Sequence, residues 1–391
     1  MTKENRTVFV LETHAKASLP ILESCKAMGL NVIAGAPKRH CCGMYSKAVD
    51  KKIVYPPPEM SDKCLDFLLK FLKNNTVDMM FPVGDVMTDL IAKNQEEIAK
   101  YTKILLPPYN IFVQGRNKVL TMKAAQRAGC PIPLTWYPDD ESLEVIVEKI
   151  ASYPVLIKPA ISAGARGIVF CNNKEDILKE FCQVQNQYGQ SYIQEYVPQT
   201  SIQYKVDAVM DENQNLYTGV VYSKLRYYPP DGGSSVLNKT EHRPDILRQA
   251  VNVMKELKWV GLCDFDFITD PKDGIARLME INPRFPESYR ATVAAGVDMT
   301  KIIYQLTMGE KPGKQLEYKE NQYCRFLFGD IMWFLKTKEN RFKVKPSFFS
   351  FFRKDTYYQL IRKNDLGPII GYIMENLEMI WNSKLRKQRL R

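Results

Sequence analysis

Short apolar runs alternate with amphipathic stretches along the first hundred residues. The run Val8 to Leu11 precedes a helical pattern at 18–28, and further β-rich runs follow at 31–34 and 78–83. Strands that alternate with helices are typical of a parallel sheet covered on both faces. This pattern predicts an α/β domain over residues 1–110. Because no GxGxxG motif follows the first run, the pattern does not predict binding of NAD.

From about residue 111 the pattern changes to one helix followed by many short strands. Asn117 to Gly129 has helical periodicity, and prolines follow it. Strands are predicted at 154–159, 191–197, 203–210, 216–223, 263–269 and 276–281. Strands joined by turns favour an α+β domain over 111–310, with a smaller subdomain at about 120–190. Residues 311–391 are basic and aromatic, and we expect a helical region there.

The overall composition narrows the possible classes of function. No run in the 391 residues approaches the roughly 20 apolar residues of a membrane span, so we expect a cytoplasmic protein. The three histidines and nine scattered cysteines show no zinc-site spacing, so a metal is expected to bind through oxygen ligands, as Mg²⁺ does. The net charge of +11 suits phosphorylated ligands or an anionic surface. Without a zinc-finger or RNP-like motif, we do not expect nucleic acid as a partner.

A lysine and a loop of small residues form the first candidate site. Lys158 ends an apolar strand, and the loop after it supplies the candidate residues Ser162, Gly164, Arg166 and Gly167. Small residues let backbone N–H groups approach phosphate oxygens, and the lysine can meet the same charge. The alternative is an ordinary hairpin with a solvated lysine.

Polar residues on two later strands form the second candidate site. Glu280, Asn282 and Arg284 share one strand face by period-2 geometry, and Asp266 has the polar phase of a neighbouring strand. Asp266, Glu280 and Asn282 could bind a Mg²⁺ that bridges phosphates, which leaves Arg284 to stabilise charge on a transferring phosphoryl group. The alternative is a solvated sheet face or a structural ion pair.

Taken together, these motifs resemble the ATP-grasp superfamily over about residues 1–310. The resemblance implies a pre-ATP-grasp, Rossmann-like domain followed by a two-lobed nucleotide clamp, with ATP and Mg²⁺, or Mn²⁺, as cofactors. It implies phosphate contacts from Lys118 and Lys158 and an adenine site at Glu195, Tyr196 and Val197. The loop at 162–167 departs from the family because it has fewer glycines, and Gln203 and Lys205 stand near the place of the usual acidic ribose contact.

Lys224, Arg226 and the turn Asp231-Gly232-Gly233-Ser234-Ser235 resemble the acceptor side of the carboligase-like carboxylate–amine ligases, a group that includes D-aspartate ligase. A basic pair there could hold a substrate carboxylate, although a charged hairpin is the alternative. The resemblance implies an amide-forming ligase that passes through an acyl phosphate, releases ADP and phosphate, and serves bacterial cell-surface glycan or peptidoglycan assembly. A biotin-carboxylase-like or carbamoyl-phosphate-forming enzyme and a non-catalytic ATP sensor stay open.

The expected partners are small-molecule or glycan carboxylates and amines, and a second copy of the chain in a homodimer. The C-terminal region carries the run 348–354, Phe-Phe-Ser-Phe-Phe-Arg-Lys, and a tail with five cations and no acid, Lys384, Arg386, Lys387, Arg389 and Arg391. Such a region could contact the inner face of an anionic membrane. The alternative is a helical cap with a solvated charged end.

Overall fold

The computed structural model describes residues 6–381, except 163, 165 and 231, and it leaves out the side chains of 379–381. Three groups of residues discussed above lie outside the described part. They are Ala163 and Ala165 of the small-residue loop, Asp231 of the acceptor-side turn, and the five cations of the tail, Lys384, Arg386, Lys387, Arg389 and Arg391.

The first lobe is a parallel sheet with helices on both faces. Its strands are β1 (Thr7–Val10), β2 (Asn31–Ala36), β3 (Lys51–Val54) and β4 (Met79–Phe81), in the order β3-β2-β1-β4. Its helices are α1 (Ser18–Ala27), α2 (Ser61–Asn74), α3 (Asp85–Lys93) and α4 (Gln95–Ile98), with a short 3-10 helix at Gly43–Tyr45. Val8 and Val10 pack on the α1 side, whereas Phe9 and Leu11 pack on the α2 side. The α/β prediction is confirmed, and the identity of this lobe as a pre-ATP-grasp domain stays a prediction.

A second, small lobe is built on a four-stranded antiparallel sheet. Its strands are β5 (Thr135–Trp136), β6 (Val155–Pro159), β7 (Val169–Cys171) and β8 (Ser191–Glu195), in the order β5-β8-β6-β7. The helices of this stretch are α5 (Tyr109–Arg116), α6 (Lys118–Arg127), α7 (Leu143–Lys149) and α8 (Lys174–Tyr188). Helices α7 and α8 cover the small sheet through Ile146 and Phe181, whereas α5 and α6 pack against the third lobe.

The third lobe holds the largest sheet, with seven strands. They are β9 (Gln203–Met210), β10 (Leu216–Tyr228), β11 (Ser234–Thr240), β12 (Gly261–Thr269), β13 (Ala276–Asn282), β14 (Tyr323–Arg325) and β15 (Thr356–Tyr358), in the order β13-β12-β9-β10-β11-β14-β15. The helices are α9 (Pro244–Leu257), α10 (Arg290–Ala294), α11 (Met299–Thr307), α12 (Leu327–Lys336) and α13 (Gly367–Trp381). Every strand predicted from the sequence between 154 and 281 is present, which confirms the α+β prediction for this part.

The C-terminal region is less helical than expected. Its described part holds α12 and α13, but β14 pairs with β11, and β15 pairs with β14, so the region also extends the largest sheet. A sheet edge exposes unpaired backbone N–H and C=O groups, which attract another strand, and sequence periodicity does not reveal this need. Near the start of α13, Gly367 and Gly371 approach Tyr45 and Cys41 of the first lobe so closely that a Cβ atom would meet their carbonyl oxygens. The boundaries expected at 110 and 310 stay predictions.

Two expectations from composition concern thiols and membrane spans. All nine cysteines lie within the described residues as free thiols, and all except Cys182 are buried. No helix in the described part of the chain is both long enough and apolar enough to cross a bilayer.

Candidate active site

The small-residue loop leaves the end of β6, where Lys158 lies almost wholly buried. Its ammonium group donates to Gln194 Oε1 at 2.9 Å, and the Tyr192 ring lies 5.9 Å away. The pKa of Lys158 is lowered to about 8, mainly by burial; Glu280 acts to raise this pKa, and Lys118 adds a smaller lowering effect. A buried cation with one neutral acceptor has a strong electrostatic preference for an anionic ligand.

The loop itself depends on glycine conformations. Gly164 and Gly167 have φ values of +62° and +73°, which favour glycine. A Cβ at Gly167 would also lie 2.8 Å from atoms of Pro159 and Tyr188. Ser162 is half-buried at the start of the loop, and Arg166 is exposed.

Lys118 connects this loop to the acidic strands. Asn117 caps α6 by accepting from the N–H groups of Val119 and Leu120, which fixes Lys118 at the first position of the helix. The Lys118 ammonium donates to the carbonyl of Ser162 at 2.9 Å and lies 3.3 Å from Glu280 Oε2. Lys118, the loop and Glu280 therefore meet at one point.

The paired strands β12 and β13 carry the acidic part of the site. Asp264 faces Asn282 and Asp266 faces Glu280 across the antiparallel pair. Asn282 Nδ2 donates to Asp264 Oδ2 at 3.1 Å and to Asp266 Oδ2 at 2.9 Å. The pairing register therefore brings together the three residues predicted as metal ligands, Asp266, Glu280 and Asn282, and adds Asp264.

Two lysines balance the charge of this cluster. Lys205 Nζ lies 2.7 Å from Asp264 and 2.9 Å from Asp266, and Lys224 forms an ion pair with the other oxygen of Asp266. Burial alone would raise the pKa of Asp266, but Lys205 and Lys224 bring it below its usual value, so the carboxylate stays ionised. Burial raises the pKa of Asp264 to about 6, against the effect of Lys205.

The segment 195–197 connects the small four-stranded sheet to the seven-stranded sheet. Strand β8 ends at Glu195 in the small sheet, and β9 begins at Gln203 in the largest one. The Glu195 side chain is anchored by an ion pair with Lys272, and the Tyr196 ring meets Phe170 edge to face at 5.2 Å. Backbone groups of Glu195 and Val197 thus lie on the link that joins the two lobes.

The comparison with known families agrees with this geometry. Residues 116–288 match the family described as the ATP-grasp domain, and this range contains the lysines, the loop, the link and the acidic strands described above. Residues 116–288 form an ATP-grasp domain.

Similarity to individual proteins extends beyond that range. The chain is 22% identical to D-aspartate ligase of Enterococcus faecium over 299 residues, which is 71% of each chain. Its fold resembles that of biotin carboxylase from Campylobacter jejuni, with a TM-score of 0.67 and 17% identity over 81% of this chain and 74% of the other. It also resembles L-amino acid ligase from Bacillus licheniformis, with a TM-score of 0.59 and 15% identity over 78% and 75% of the two chains.

Arg284 connects residues 116–288 to the first lobe through an ion pair with Asp85. Its Nε lies 2.9 Å from Asp85 Oδ2, at the start of α3, and its side chain is largely buried. Close by, Lys16 after β1 pairs with Glu287 at 2.7 Å. Strand order reverses between β1 and β4, so their carboxyl ends form the crevice where open α/β sheets bind ligands.

Glu12 lies buried just after the carboxyl end of β1. It follows β1 with a φ of +51° and accepts from the N–H of Gly84 at 2.5 Å. Burial raises the pKa of Glu12 to about 7. The crevice therefore combines a carboxyl group that can gain or lose a proton near neutral pH with fixed ion pairs of both signs.

Arg226 does not join Lys224 in the cluster around Asp266. The ladder between β10 and β11 shifts register between these two residues, and Arg226 turns into the C-terminal region. Its Nη1 lies 3.0 Å from Asp330 Oδ2, and its guanidinium stacks 4.6 Å from the Trp333 ring. The structure thus separates the basic pair on which the acceptor-side resemblance rests.

The donor set fits Mg²⁺ in chemistry. Asp266 and Glu280 offer carboxylate oxygens and Asn282 an amide oxygen, and hard oxygen ligands of this kind suit the ion. Among the residues described between 6 and 378, no three His, Cys, Asp or Glu side chains already form a metal-binding group. In this structure the carboxylates of Asp266 and Glu280 form ion pairs with lysines: Lys205 and Lys224 pair with Asp266, and Lys118 pairs with Glu280.

Sequence reasoning missed several residues of the site. Asp264 was visible as the first acid of Asp264-Phe265-Asp266-Phe267, where alternation places both acids on one face. The sequence pattern marks Lys205 only as a departure from the family's acidic ribose contact. Glu12 and Lys16 carried no local signal, because only the sheet order brings them next to Arg284.

Proposed function

We propose that this protein is an ATP-dependent carboxylate–amine ligase that forms an amide through an acyl phosphate and releases ADP and phosphate. One observation carries the proposal. Two lysines suited to phosphate, Lys118 and Lys158, converge on the strand pair that bears Asp266, Glu280 and Asn282. The similarity to D-aspartate ligase and the fold shared with L-amino acid ligase support an amine as the acceptor.

The nucleotide would lie between the two lobes of the clamp. Lys118 and Lys158 would neutralise its phosphates, and the backbone at 195–197 would receive the adenine. Mg²⁺ held by Asp266, Glu280 and Asn282 would offset phosphate charge during transfer. In this structure Asp266 and Glu280 each pair with a lysine, and Asn282 contacts Asp266. Binding of nucleotide and metal would replace these contacts.

The reaction needs two displacements. A carboxylate oxygen of the first substrate attacks the γ-phosphorus of ATP, and ADP leaves with the bond electrons. The amine then attacks the acyl carbon, the acyl C–O bond breaks as phosphate leaves with its electrons, and the nitrogen releases a proton to give the amide. Arg284 would stabilise the charge that develops on the transferring group, and Lys224 would orient the carboxylate from the opposite side.

The two substrates would meet at the crevice of the first lobe. Glu12, Asp85 and Glu287 offer negative charge for an ammonium group, and Lys16 and Arg284 offer positive charge for a carboxylate. This mixture suits a zwitterionic amino acid better than a neutral amine. The resemblance to carboligase-like ligases supports an acceptor from bacterial cell-surface glycan or peptidoglycan assembly.

An oxygen-18 label in the carboxylate tests the chemistry. Pooled amino acids are first screened with amino sugars and short peptides for ATP-dependent phosphate release, and the active acid is then prepared with labelled oxygen. We expect ADP, and phosphate that carries one labelled oxygen. AMP with labelled oxygen would instead show adenylation, and ADP with unlabelled phosphate would mean that water attacks ATP directly; either result rejects the proposal.

A second candidate uses bicarbonate as the carboxylate. The fold shared with biotin carboxylase favours it, since the same clamp then activates a smaller substrate. Omitting bicarbonate separates the two, because a bicarbonate-dependent enzyme loses ADP release when carbon dioxide is excluded, even with every amino acid present. A non-catalytic sensor would bind ATP and release no product under any condition.

A further inference from the structure

Three phenylalanines stand out from the surface of the C-terminal region. Phe342, Phe349 and Phe352 are 72%, 56% and 98% exposed. Phe342 and Phe349 stack on each other with their ring centroids 6.3 Å apart. Exposure of large side chains that lie together is unusual on a soluble surface and marks an interaction site. We call residues 335–354 the aromatic–basic surface.

Two of these exposed rings, Phe342 and Phe349, pack against less exposed rings of the same region. Phe334 contacts Phe342 at 5.8 Å and Phe349 at 5.6 Å, and Phe348 packs beneath it in a cluster with Trp333 and Val236. The two arginines that pair with Asp330, Arg226 and Arg325, secure the base of this cluster. Phe342 and Phe349 are therefore held by packed rings of the C-terminal region, and Phe352 follows Phe351, which packs on the same cluster.

The aromatic–basic surface also carries a strong local charge. Between 335 and 354 there are seven cations and a single acid, Glu339, whereas the whole chain has 55 cations and 44 acids. All seven cations are exposed or half-exposed, and they are Lys336, Lys338, Arg341, Lys343, Lys345, Arg353 and Lys354. Leu335 on α12 is exposed as well, which widens the apolar part.

We propose that this surface docks the protein on an anionic lipid bilayer, with Phe342, Phe349 and Phe352 inserted among the headgroups. Projecting rings suit a soft, planar surface, into which they can insert and leave water. The Lys and Arg side chains of this segment complement anionic lipid, and long side chains of this kind can reach the lipid phosphates. Docking would hold the ligase site beside acceptors that are carried by lipid, although the surface stands independently of the proposed reaction.

Vesicle flotation of the full chain tests the proposal. The probe is vesicles of phosphatidylcholine, with and without phosphatidylglycerol, at low and at high salt. We expect binding to the anionic vesicles at low salt that weakens as salt is raised, because screening shortens the reach of the cations. No binding to anionic vesicles at low salt would overturn the proposal, as would equal binding to neutral vesicles.

Two variants locate the contact. The triple change Phe342→Ser, Phe349→Ser and Phe352→Ser should weaken anionic vesicle binding by about tenfold or more. Its control is Met60→Ser, Val145→Ser and Leu316→Ser, which removes three side chains that are between 44% and 51% exposed elsewhere. The control should bind as the parent does, and equal loss in both variants would contradict the assignment.

A charge variant separates this surface from the overall basic character. Each cation near an anionic surface contributes about fivefold in binding, so Lys343→Glu with Lys345→Glu should weaken binding by about 25-fold or more. Lys63→Glu with Lys100→Glu makes the same change in net charge on the first lobe and should have little effect. The oligomeric state of the phenylalanine triple variant is also measured by sedimentation. If the triple change dissociates a dimer and leaves vesicle binding intact, the surface is a contact between two copies and the lipid proposal fails.

Discussion

Lys158 offers a test in which proton uptake reports on ATP binding. Its pKa is about 8 in the free protein because the ammonium group is buried. Phosphate oxygens beside it would favour the charged form and raise the pKa in the complex. A lysine whose pKa rises on binding takes up a proton, so affinity is full below the free-state pKa and falls as pH rises through it.

The size of the effect follows from that pKa. Between about pH 7.5 and about pH 9, the neutral fraction of a group with a pKa of about 8 grows enough to weaken ATP binding about eightfold. This is about 1.3 kcal/mol. ATP itself is fully ionised across this interval, so its own titration adds little.

Isothermal titration at the two pH values, in buffers with different ionisation enthalpies, measures both affinity and the number of protons taken up. Lys158→Arg is the matched control, because arginine keeps its charge throughout and should remove the pH dependence. Lys158→Met should weaken binding at both pH values, by about 1.5–3 kcal/mol or about 10- to 150-fold, since it removes a charged hydrogen-bond donor. Constant affinity in the parent, or the same slope in the arginine variant, would return Lys158 to a purely structural role.

Three further predictions concern other parts of the chain. Glu280→Gln should abolish ADP release and leave the unfolding temperature unchanged; steady-state kinetics with normal turnover would reject the metal-ligand role. Glu12 should cost up to about 3 kcal/mol of stability as pH rises from about 4.5 through its folded pKa of about 7. The free energy of unfolding, measured in urea at several pH values, should no longer show this pH dependence in Glu12→Gln. If the variant keeps the pH profile of the parent, the dependence does not come from the buried Glu12 carboxyl. Asp330→Asn leaves Arg226 and Arg325 without a buried counter-charge and should lower the free energy of unfolding by about 3–5 kcal/mol. An unchanged melting temperature would show that Asp330 is not needed to balance the two arginines.

Much of this protein could be predicted from local patterns. The alternation of polar and apolar residues placed Asp266, Glu280 and Asn282 on adjacent strands, and the register of β12 and β13 confirms that arrangement. The period-2 rule works here because side chains of one strand must face either the core or the site. The position of Lys158 beside a phosphate-binding type of loop could also be predicted, since Lys158 ends an apolar strand and precedes a glycine-containing loop.

Other features depended on which distant segments meet. Lys205 and Asp266 are separated by 61 positions, and the buried pair of Arg226 and Asp330 by 104. Nothing local distinguishes Lys224, which reaches Asp266, from Arg226, which does not, because a register shift in the ladder decides their directions.

The sequence by itself determined the order of strands and helices and the residue types available for phosphate and metal. Only the tertiary structure decided which cations balance Asp264 and Asp266, that the C-terminal region adds strands to the largest sheet, and which phenylalanines stay exposed. The reason is physical. Periodicity is set by the geometry of one strand or helix, whereas ion pairing and sheet edges are satisfied between segments that the chain topology brings together.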